Sequence, residues 1–314
     1  MTNAADSRLR GLFVPHMTPL NQQGDIATDV LRDYIRWLAD AGVHGLYPNG
    51  SMGEFTRFTS AERHEITRVV VEAAAGRLEI LAGAVEANVR ETIETCRRYA
   101  DIGLQTVAVV TPYYFRVGSD AVYEFYSQIA EGIPNDLTLY NIPAFASPID
   151  VATVVRLAQK YPNIVGIKDS SGDLPHMMRM IREVRTVRPQ FRFFTGWDAS
   201  LTPMLLAGCD GGVNATTGVL PELTLAIYQA VNRGDYAKAM QWQYRLLPIF
   251  DAMLGAGEFP EGFRQAAAIR GWDFGVSRLT VGEAAKEQAV ATRRKLEPLI
   301  EAVLGDLQQT TLPA

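Results

Sequence analysis

Up to Thr217, short runs of apolar residues alternate along the chain with longer stretches in which apolar and charged residues recur at helical spacing. Within the runs the apolar residues are nearly consecutive, a pattern typical of β-strands that are buried on both faces, as in a parallel sheet. The runs predict strands at Leu12–Thr18, Gly45–Asn49, Glu79–Val85, Thr106–Pro112, Leu137–Ile142, Ile164–Asp169, Arg192–Trp197 and Gly212–Thr216.

Amphipathic helices are predicted between these runs. In Ala61–Ala75, apolar residues recur at helical spacing on one side and charged residues occupy the other. Thr59 and Glu62 have the spacing of a capping box, which predicts that this helix begins at Thr59 or Ser60. Similar stretches are Val89–Ile102, Val151–Tyr161 and Pro175–Val187.

Eight strands, each followed by a helix, predict an α/β fold, the (β/α)8 TIM barrel. An open, doubly wound sheet is the alternative. Such a sheet usually carries a glycine-rich dinucleotide-binding turn after its first strand, whereas the first run here ends in Met17-Thr18-Pro19-Leu20. The pattern therefore favours the barrel.

After Thr217 the pattern predicts helices only. They lie at Glu222–Asn232, Tyr236–Leu254, Gly262–Arg270 and Val281–Leu304. We therefore predict a catalytic barrel domain at residues 1–222. Residues 223–314 are predicted to form the closing barrel helix and a C-terminal helical domain.

Composition excludes several classes of protein. The chain has 314 residues, of which 47% are hydrophobic and 21% charged, as in a globular protein with a sizeable core. A net charge of −5 gives no basic surface for nucleic acid, and no run of apolar residues is long enough to span a membrane. Met1–Arg10 lacks the apolar core of a signal peptide, and Cys96 and Cys209 are not in CxxC pairs. A reducing, cytoplasmic location is expected.

Catalytic residues of a parallel barrel lie at the carboxyl ends of its strands. Lys168 ends the run Ile164–Asp169. An amine at the mouth of an apolar barrel loses hydration, which disfavours its ammonium form, and a neutral amine can add to a ketone to form an imine. The alternative is an exposed lysine at a strand end, paired with Asp169. Other polar residues at predicted strand ends are Thr18, Ser51, Glu54, Tyr113, Tyr114, Tyr140, Asp198 and Asn214.

Two further features support the chemical interpretation of Lys168. Tyr140 ends the preceding predicted strand, so we expect its phenol beside Lys168, where it could carry a proton. The alternative is an aromatic residue at the barrel mouth whose hydroxyl only reaches water. The loop Asn49-Gly50-Ser51-Met52-Gly53-Glu54 follows the second strand. Its glycines allow a tight turn whose amides could bind a carboxylate, although a lone GxxG of this kind is a weak signal.

Four motifs together resemble one known family. Gly50-Ser51-Met52-Gly53-Glu54, Thr111-Pro112-Tyr113-Tyr114, Tyr140-Asn141-Ile142-Pro143 and Gly166-Ile167-Lys168-Asp169 are similar to motifs of the dihydrodipicolinate synthase/N-acetylneuraminate lyase family. The resemblance covers nearly the whole chain from about Leu12. It implies a TIM barrel and a class I aldolase or lyase that handles pyruvate through a Schiff base.

The resemblance also implies roles for particular residues. Lys168 would form the imine with a 2-keto acid, Tyr140 would move the proton, and Ser51 with the Met52 amide would hold the carboxylate. Tyr114 would reach into a neighbouring protomer, which implies an oligomer, most simply a homotetramer built as a dimer of dimers. No metal or organic cofactor is implied, because the imine itself withdraws electrons. The implied substrate-binding residues are Gly50, Ser51, Met52, Ser170, Asp198, Val213 and Asn214.

Departures from the family pattern bear on the substrate. Dihydrodipicolinate synthases carry an arginine two residues after the proline of their YNxP motif, and this chain has Phe145 there. Ser51-Met52 stands where the family usually has two threonines. Sialic acid lyases carry Asp-Glu after the seventh strand, and here Asp198 is followed by Ala199. The motif set is most similar to the 2-keto-3-deoxygluconate aldolases of the family.

Several functions remain open on the sequence alone. The leading hypothesis is an aldolase that cleaves a 2-keto-3-deoxy sugar acid such as 2-keto-3-deoxygluconate to pyruvate and an aldehyde. A dehydratase of keto-deoxy sugar acids would use the same imine. The motifs are also compatible with a 4-hydroxy-tetrahydrodipicolinate synthase and with a non-catalytic keto-acid-binding protein, and the paired Lys168 and Tyr140 argue against the binding protein.

Overall fold

The structure, a computed structural model, describes residues 8–280 and 282–311. Within these ranges eight parallel strands pair in chain order, β1 to β8, and β8 closes on β1, so the predicted TIM barrel is confirmed. The strands are β1 Gly11–Val14, β2 Gly45–Leu46, β3 Glu79–Gly83, β4 Thr106–Val110, β5 Asp136–Asn141, β6 Ile164–Asp169, β7 Arg192–Thr195 and β8 Gly211–Val213.

Helices follow the strands and surround the barrel. They are α1 Thr28–Ala41, α2 Ser60–Ala74, α3 Val89–Asp101, α4 Ser119–Gly132, α5 Val151–Lys160, α6 Leu174–Val187, α7 Leu201–Leu206 and α8 Pro221–Asn232, followed by α9 Tyr236–Leu254, α10 Glu261–Ile269 and α11 Glu283–Thr311. The predicted start of the last helix, Val281, lies outside the described residues, as do residues 1–7 and 312–314 of the predicted domains.

All the predicted strands except Ile164–Asp169 extend too far at their carboxyl ends, by four residues in β1, three in β2 and β8, and one or two in the others. The β1 ladder ends at Val14 and the β2 ladder at Leu46, although the predicted runs continue to Thr18 and Asn49. The residues beyond each ladder are buried all the same, because they turn across the mouth of the barrel. Burial in a loop and burial in a strand produce the same apolar pattern, so the pattern does not distinguish them.

The C-terminal helices share a hydrophobic core with the barrel. Val14 of β1, Phe250 of α9, Phe263 of α10 and Leu296 of α11 belong to one buried cluster. The segment that connects α9 to α10 thereby lies over the carboxyl ends of the strands, where it lines the cavity described below. The division into domains at residues 222 and 223 stays a prediction. None of the helices in the described part of the chain combines the length and the apolar character needed to cross a membrane.

Candidate active site

Lys168 and Tyr140 lie side by side at the carboxyl ends of β6 and β5. The strand register pairs them directly. The Lys168 side chain is 3% exposed, so the alternative of an exposed lysine is wrong. Its partner in that alternative, Asp169, accepts hydrogen bonds from the Asn141 amide and the Ser171 hydroxyl. Lys168 instead extends into the barrel mouth.

Two aromatic rings face the Lys168 amine. Its Nζ lies 4.1 Å from the ring centroid of Tyr140 and 4.4 Å from that of Tyr47. The electron-rich faces of such rings stabilise a cation, whether an ammonium or a protonated imine. Burial raises the pKa of the Tyr47 phenol well above its usual value, and the neighbouring Tyr140 and Tyr126 add to the shift. Tyr47 is therefore a neutral ring beside Lys168, and sequence reasoning missed it.

Gly196, which follows β7, leaves room for the Lys168 side chain. A Cβ at this position would lie 2.8 Å from Lys168 Cε and 2.0 Å from Ser170 Oγ. Any side chain there would displace both groups. This glycine was also missed from the sequence. Its place immediately after a barrel strand is the signal that could have found it.

The loop after β2 carries Ser51 and Met52 to the same place. Ser51 Oγ lies 3.4 Å from the Tyr140 hydroxyl, so either oxygen can donate to the other. Gly50 is required by close packing, because a Cβ there would lie 2.5 Å from the Tyr47 ring. We call Lys168, Tyr140, Ser51 and Ser170 the polar floor of the site.

An ion-pair network connects this loop to the C-terminal helices. Glu54 is buried, and its backbone adopts the left-handed conformation. Its carboxylate accepts hydrogen bonds from Arg57, Arg264 and Ser277. Arg264 lies on α10, 210 residues away in the chain. The carboxylate therefore ties the loop of the polar floor to the segment that covers it.

Asp198 lies on the other side of the barrel mouth, after β7. Its carboxylate accepts hydrogen bonds from the backbone amide of Thr216 at 2.6 Å and, at 3.4 Å, from the Ala215 amide and the Asn214 side chain. Burial raises the pKa of Asp198, and these hydrogen bonds oppose the shift. The carboxylate is thus engaged in holding the loop after β8.

An inner cavity of about 110 Å³ lies above the polar floor. The predicted site residues that line it are Lys168, Tyr140, Ser51, Met52, Ser170, Asp198 and Val213. Gly50 and Asn214 lie beside lining residues without lining the cavity, and Asn214 is buried. Tyr114 lies elsewhere, as described below.

Aromatic residues form the wall opposite the polar floor. Their rings follow one another around the cavity mouth, and neighbouring centroids are 5.5 Å apart for Trp197 and Phe250, 6.4 Å for Phe250 and Phe263, 6.0 Å for Phe263 and Phe259, and 6.2 Å for Phe259 and Phe145. We call these residues the aromatic arc. All of them line the inner cavity, and Leu254 joins them at the rim. Sequence reasoning singled out Phe145 and predicted the helices here, but missed the contribution of the other four rings.

A larger outer cavity of about 380 Å³ adjoins the inner one. Ser51, Ile142, Phe145 and Phe259 line both. Tyr113, Arg57 and Glu258 line only the outer cavity, which is therefore the more polar of the two.

Tyr114 is 89% exposed and lies away from the inner cavity of its own chain. Its backbone adopts a φ of 72°, a conformation that non-glycine residues rarely hold without a reason. Its ring packs edge to face on Phe115, which is also exposed. An exposed aromatic pair on a strained turn is typical of a surface that contacts another protein.

Comparison with known proteins agrees with this geometry. Residues 8–299 match the model of the dihydrodipicolinate synthetase family. The chain belongs to this family. Members of the dihydrodipicolinate synthetase family are lyases, and at this general level the protein is a lyase.

Relatives of this family member are found in archaea. A DapA-like lyase of Pyrococcus horikoshii is 32% identical over 264 residues, which cover 84% of this chain and 91% of the relative. A 4-hydroxy-tetrahydrodipicolinate synthase of Methanopyrus kandleri is 30% identical over 288 residues, covering 91% and 93%. Among solved structures, YagE of Escherichia coli K12, a prophage protein of the same family in complex with pyruvate, superposes with a TM-score of 0.87 at 28% identity, covering 93% of this chain and 98% of YagE.

Proposed function

We propose that this member of the family is a class I aldolase that cleaves a 2-keto-3-deoxy sugar acid, such as 2-keto-3-deoxygluconate, to pyruvate and an aldehyde. The observation that carries the proposal is the pairing of Lys168 with Tyr140 in adjacent strands beneath one cavity. A buried amine beside a phenol whose hydroxyl approaches Ser51 combines a nucleophile with a group that can move a proton.

In the proposed reaction Lys168 forms a covalent imine with the substrate and is released again at the end. Its Nζ adds to the C2 carbonyl of the substrate, and loss of water leaves a protonated imine. The Tyr140 hydroxyl gives its proton to the departing water, and the phenolate left behind accepts the proton of the C4 hydroxyl as the C3–C4 bond breaks. The aldehyde leaves, and the electron pair of the broken bond passes into the imine to form an enamine. Protonation at C3 and hydrolysis by water then release pyruvate and restore the Lys168 amine.

The remaining predicted residues would bind and position the substrate. We assign the carboxylate to Ser51 and the backbone amides of Gly50 and Met52, since that loop borders the floor of the cavity. Ser170 and Val213 line the same cavity and would border the bound substrate. Asp198 and Asn214 would position the substrate indirectly, because they hold the loop after β8 that borders the cavity.

Phe145 argues against synthesis of 4-hydroxy-tetrahydrodipicolinate, the activity in the name of the Methanopyrus kandleri relative. Among the described residues that line the inner cavity, the charged side chains are Lys168 and Asp198. A second carboxylate placed beside Phe145 would lose hydration, and the Arg57 guanidinium that lines the adjoining outer cavity is already paired with Glu54. An uncharged tail avoids that cost.

We further propose a homotetramer, a dimer of dimers, in which Tyr114 reaches the site of a neighbouring protomer. The support is the exposure of Tyr114 and its strained backbone. Cys96 and Cys209 are buried free thiols, which suits a reducing compartment such as the cytoplasm.

Reductive trapping tests the imine. Incubation with pyruvate and borohydride should leave a stable adduct on the peptide that contains Lys168, and Lys168→Ala should abolish it. Labelling of the Lys168→Ala protein to the same extent would show that another lysine reacts.

Substrate assays test the rest of the proposal. Pyruvate release from 2-keto-3-deoxygluconate is expected. Loss of substrate without pyruvate would indicate a dehydratase. A higher kcat/KM for condensation of pyruvate with aspartate semialdehyde would overturn the substrate assignment.

A further inference from the structure

The inner cavity has two chemically different sides. The polar floor offers an amine and hydroxyls at the strand ends, within reach of the first carbons of a keto acid. On the opposite side the aromatic arc and Leu254 present almost continuous hydrocarbon, with Ala144 and Ala215 between them. A substrate held within the inner cavity, rather than extended into the outer one, turns a polar end to the floor and its far end to the apolar wall.

The far end of the substrate finds few hydrogen-bonding partners. Asp198 already accepts three hydrogen bonds from the loop after β8, the shortest at 2.6 Å from Thr216 N. Among the described residues, the other polar side chains that line this cavity are Trp197 and the members of the polar floor. A hydroxyl at the far end of the chain would lose its hydration against carbon, whereas a methyl group would gain contact area there.

The shape of the wall is held by close packing. Gly262 is the second residue of α10 and lies between Phe259 and Phe263 in the chain, and a Cβ at this position would lie 2.0 Å from the Met253 carbonyl oxygen. The start of α10 therefore rests directly on the backbone of α9. Phe250 and Phe263, which lie on these helices, therefore cannot retreat from the cavity without separating the helices.

We propose that the preferred substrate is a 2-keto-3-deoxy acid whose chain ends in a methyl group, as in an acid derived from a 6-deoxy sugar. The aromatic arc and Leu254 receive that terminal methyl. This inference rests on the proposed aldolase function and narrows its substrate class. The aldehyde product is then a 2-hydroxy aldehyde with a terminal methyl, such as lactaldehyde, rather than glyceraldehyde.

The test uses the reverse reaction, because the two aldehydes differ only at the terminal carbon. The full-length protein is given pyruvate with either racemic lactaldehyde or racemic glyceraldehyde, and kcat/KM for the aldehyde is measured from pyruvate consumption. Lactaldehyde should be preferred roughly tenfold or more, the discrimination expected when a hydroxyl must be buried against an apolar pocket.

Variants at Leu254 test the wall itself. Leu254 is the last residue of α9, where a change of polarity is tolerated more easily than in the core. Leu254→Asn should reduce the preference for lactaldehyde at least about threefold, because an amide near the terminal carbon can bond its hydroxyl. Leu254→Met keeps an apolar side chain and should retain the preference. Leu206→Asn, on the exposed surface of α7 away from both cavities, is the control for a general effect of the substitution.

Two failures can be told apart. If the unmodified protein does not form the borohydride adduct with pyruvate at Lys168, the proposed function fails. The inference about the methyl group is overturned if the adduct forms but lactaldehyde does not react, or if glyceraldehyde reacts as fast as lactaldehyde or faster. The aldolase assignment is then decided by its own test. If Leu254→Asn and Leu254→Met change the ratio of kcat/KM for lactaldehyde to that for glyceraldehyde equally, the polarity of the wall does not set the preference for lactaldehyde.

Discussion

The polar floor and the aromatic arc are built in different ways. Lys168 and Tyr140 belong to adjacent strands, and the barrel ladder holds their backbones in register. The aromatic arc comes from the loops after β5 and β7, from α9 and α10, and from the segment that joins these two helices. Strand ends therefore hold the groups that we propose to react, while segments outside the barrel shape the space beyond them. The sequence of such segments can change without disturbing the strand ladder. Substrate specificity can therefore change while the groups at the strand ends keep their positions.

Glu54 and Arg264 connect these two regions. We therefore expect the loss of this ion pair to have the largest effect of the changes considered, as a lower free energy of unfolding. Both side chains are buried and the guanidinium also donates to the Phe274 carbonyl. Arg264→Met should lower the free energy of unfolding by about 3 kcal/mol, because it leaves a buried carboxylate with fewer partners. Urea denaturation measures the change.

Arg57→Met is the matched control for this prediction. Arg57 pairs with the same carboxylate but is more exposed, so its loss should cost about 1 kcal/mol or less. Equal costs for the two variants would mean that burial of the Arg264 pair does not stabilise the junction between floor and arc.

Tyr140 and Tyr47 sharpen the comparison within the floor, since both rings face Lys168. Tyr140→Phe should lower kcat by about 10²-fold, because the hydroxyl that moves the proton is lost. Tyr47→Phe keeps the ring face and should change kcat less than about threefold. Steady-state kinetics on the cleavage reaction measures kcat for both variants. Similar losses of kcat in the two variants would contradict the separate roles of Tyr140 and Tyr47.

Gly196→Ala tests how closely the floor is packed. The added methyl would meet Ser170 Oγ and Lys168 Cε, so Lys168 must shift. We expect kcat/KM to fall about tenfold or more, as displacement of a reacting group does, with the protein still folded. The rate of borohydride trapping with pyruvate should fall in parallel. Normal trapping would show that Lys168 keeps its position despite the added methyl.

The smallest expected effect is the pH dependence of one pair near the surface. Arg278 holds the pKa of Glu62 at about 2, below its ordinary 4.5. Because the folded-state pKa is lowered, the pair stabilises the protein above pH 4.5, and that contribution is lost as the pH falls from 4.5 to about 2.

The comparison with Glu62→Gln isolates this contribution. The difference in thermal midpoint between the unmodified protein and the variant should be small at neutral pH, since exposed pairs contribute about 0.2–1 kcal/mol, and should shrink on acidification. A difference that grows as the pH falls would have the wrong sign for a lowered pKa.

Helical spacing of apolar residues predicted the bounds of the capped helices closely. Thr59 and Glu62 form the predicted capping box, and Asn88, Asp150, Asp173 and Asp235 cap α3, α5, α6 and α9, whose predicted bounds agree to within one residue. The helices α1, α4 and α7 were not among the predicted ranges, and each begins without a side-chain cap. The helices α8 and α10 also begin without one, yet their predicted bounds agree to within one residue. A side-chain cap therefore does not by itself separate the predicted helices from the missed ones.

The sequence by itself determined the alternation of strands and helices, and with it the placing of Lys168 beside Tyr140, because both follow from patterns within a few residues and from the order of strands in a barrel. Tertiary structure alone decided that Tyr47 faces the Lys168 amine, that Gly196 makes room for it, and that Glu54 pairs with Arg264 across 210 positions of chain. The aromatic arc belongs to the same class. Its members come from separate segments, and only the packing of α9 and α10 over the barrel mouth brings their rings together.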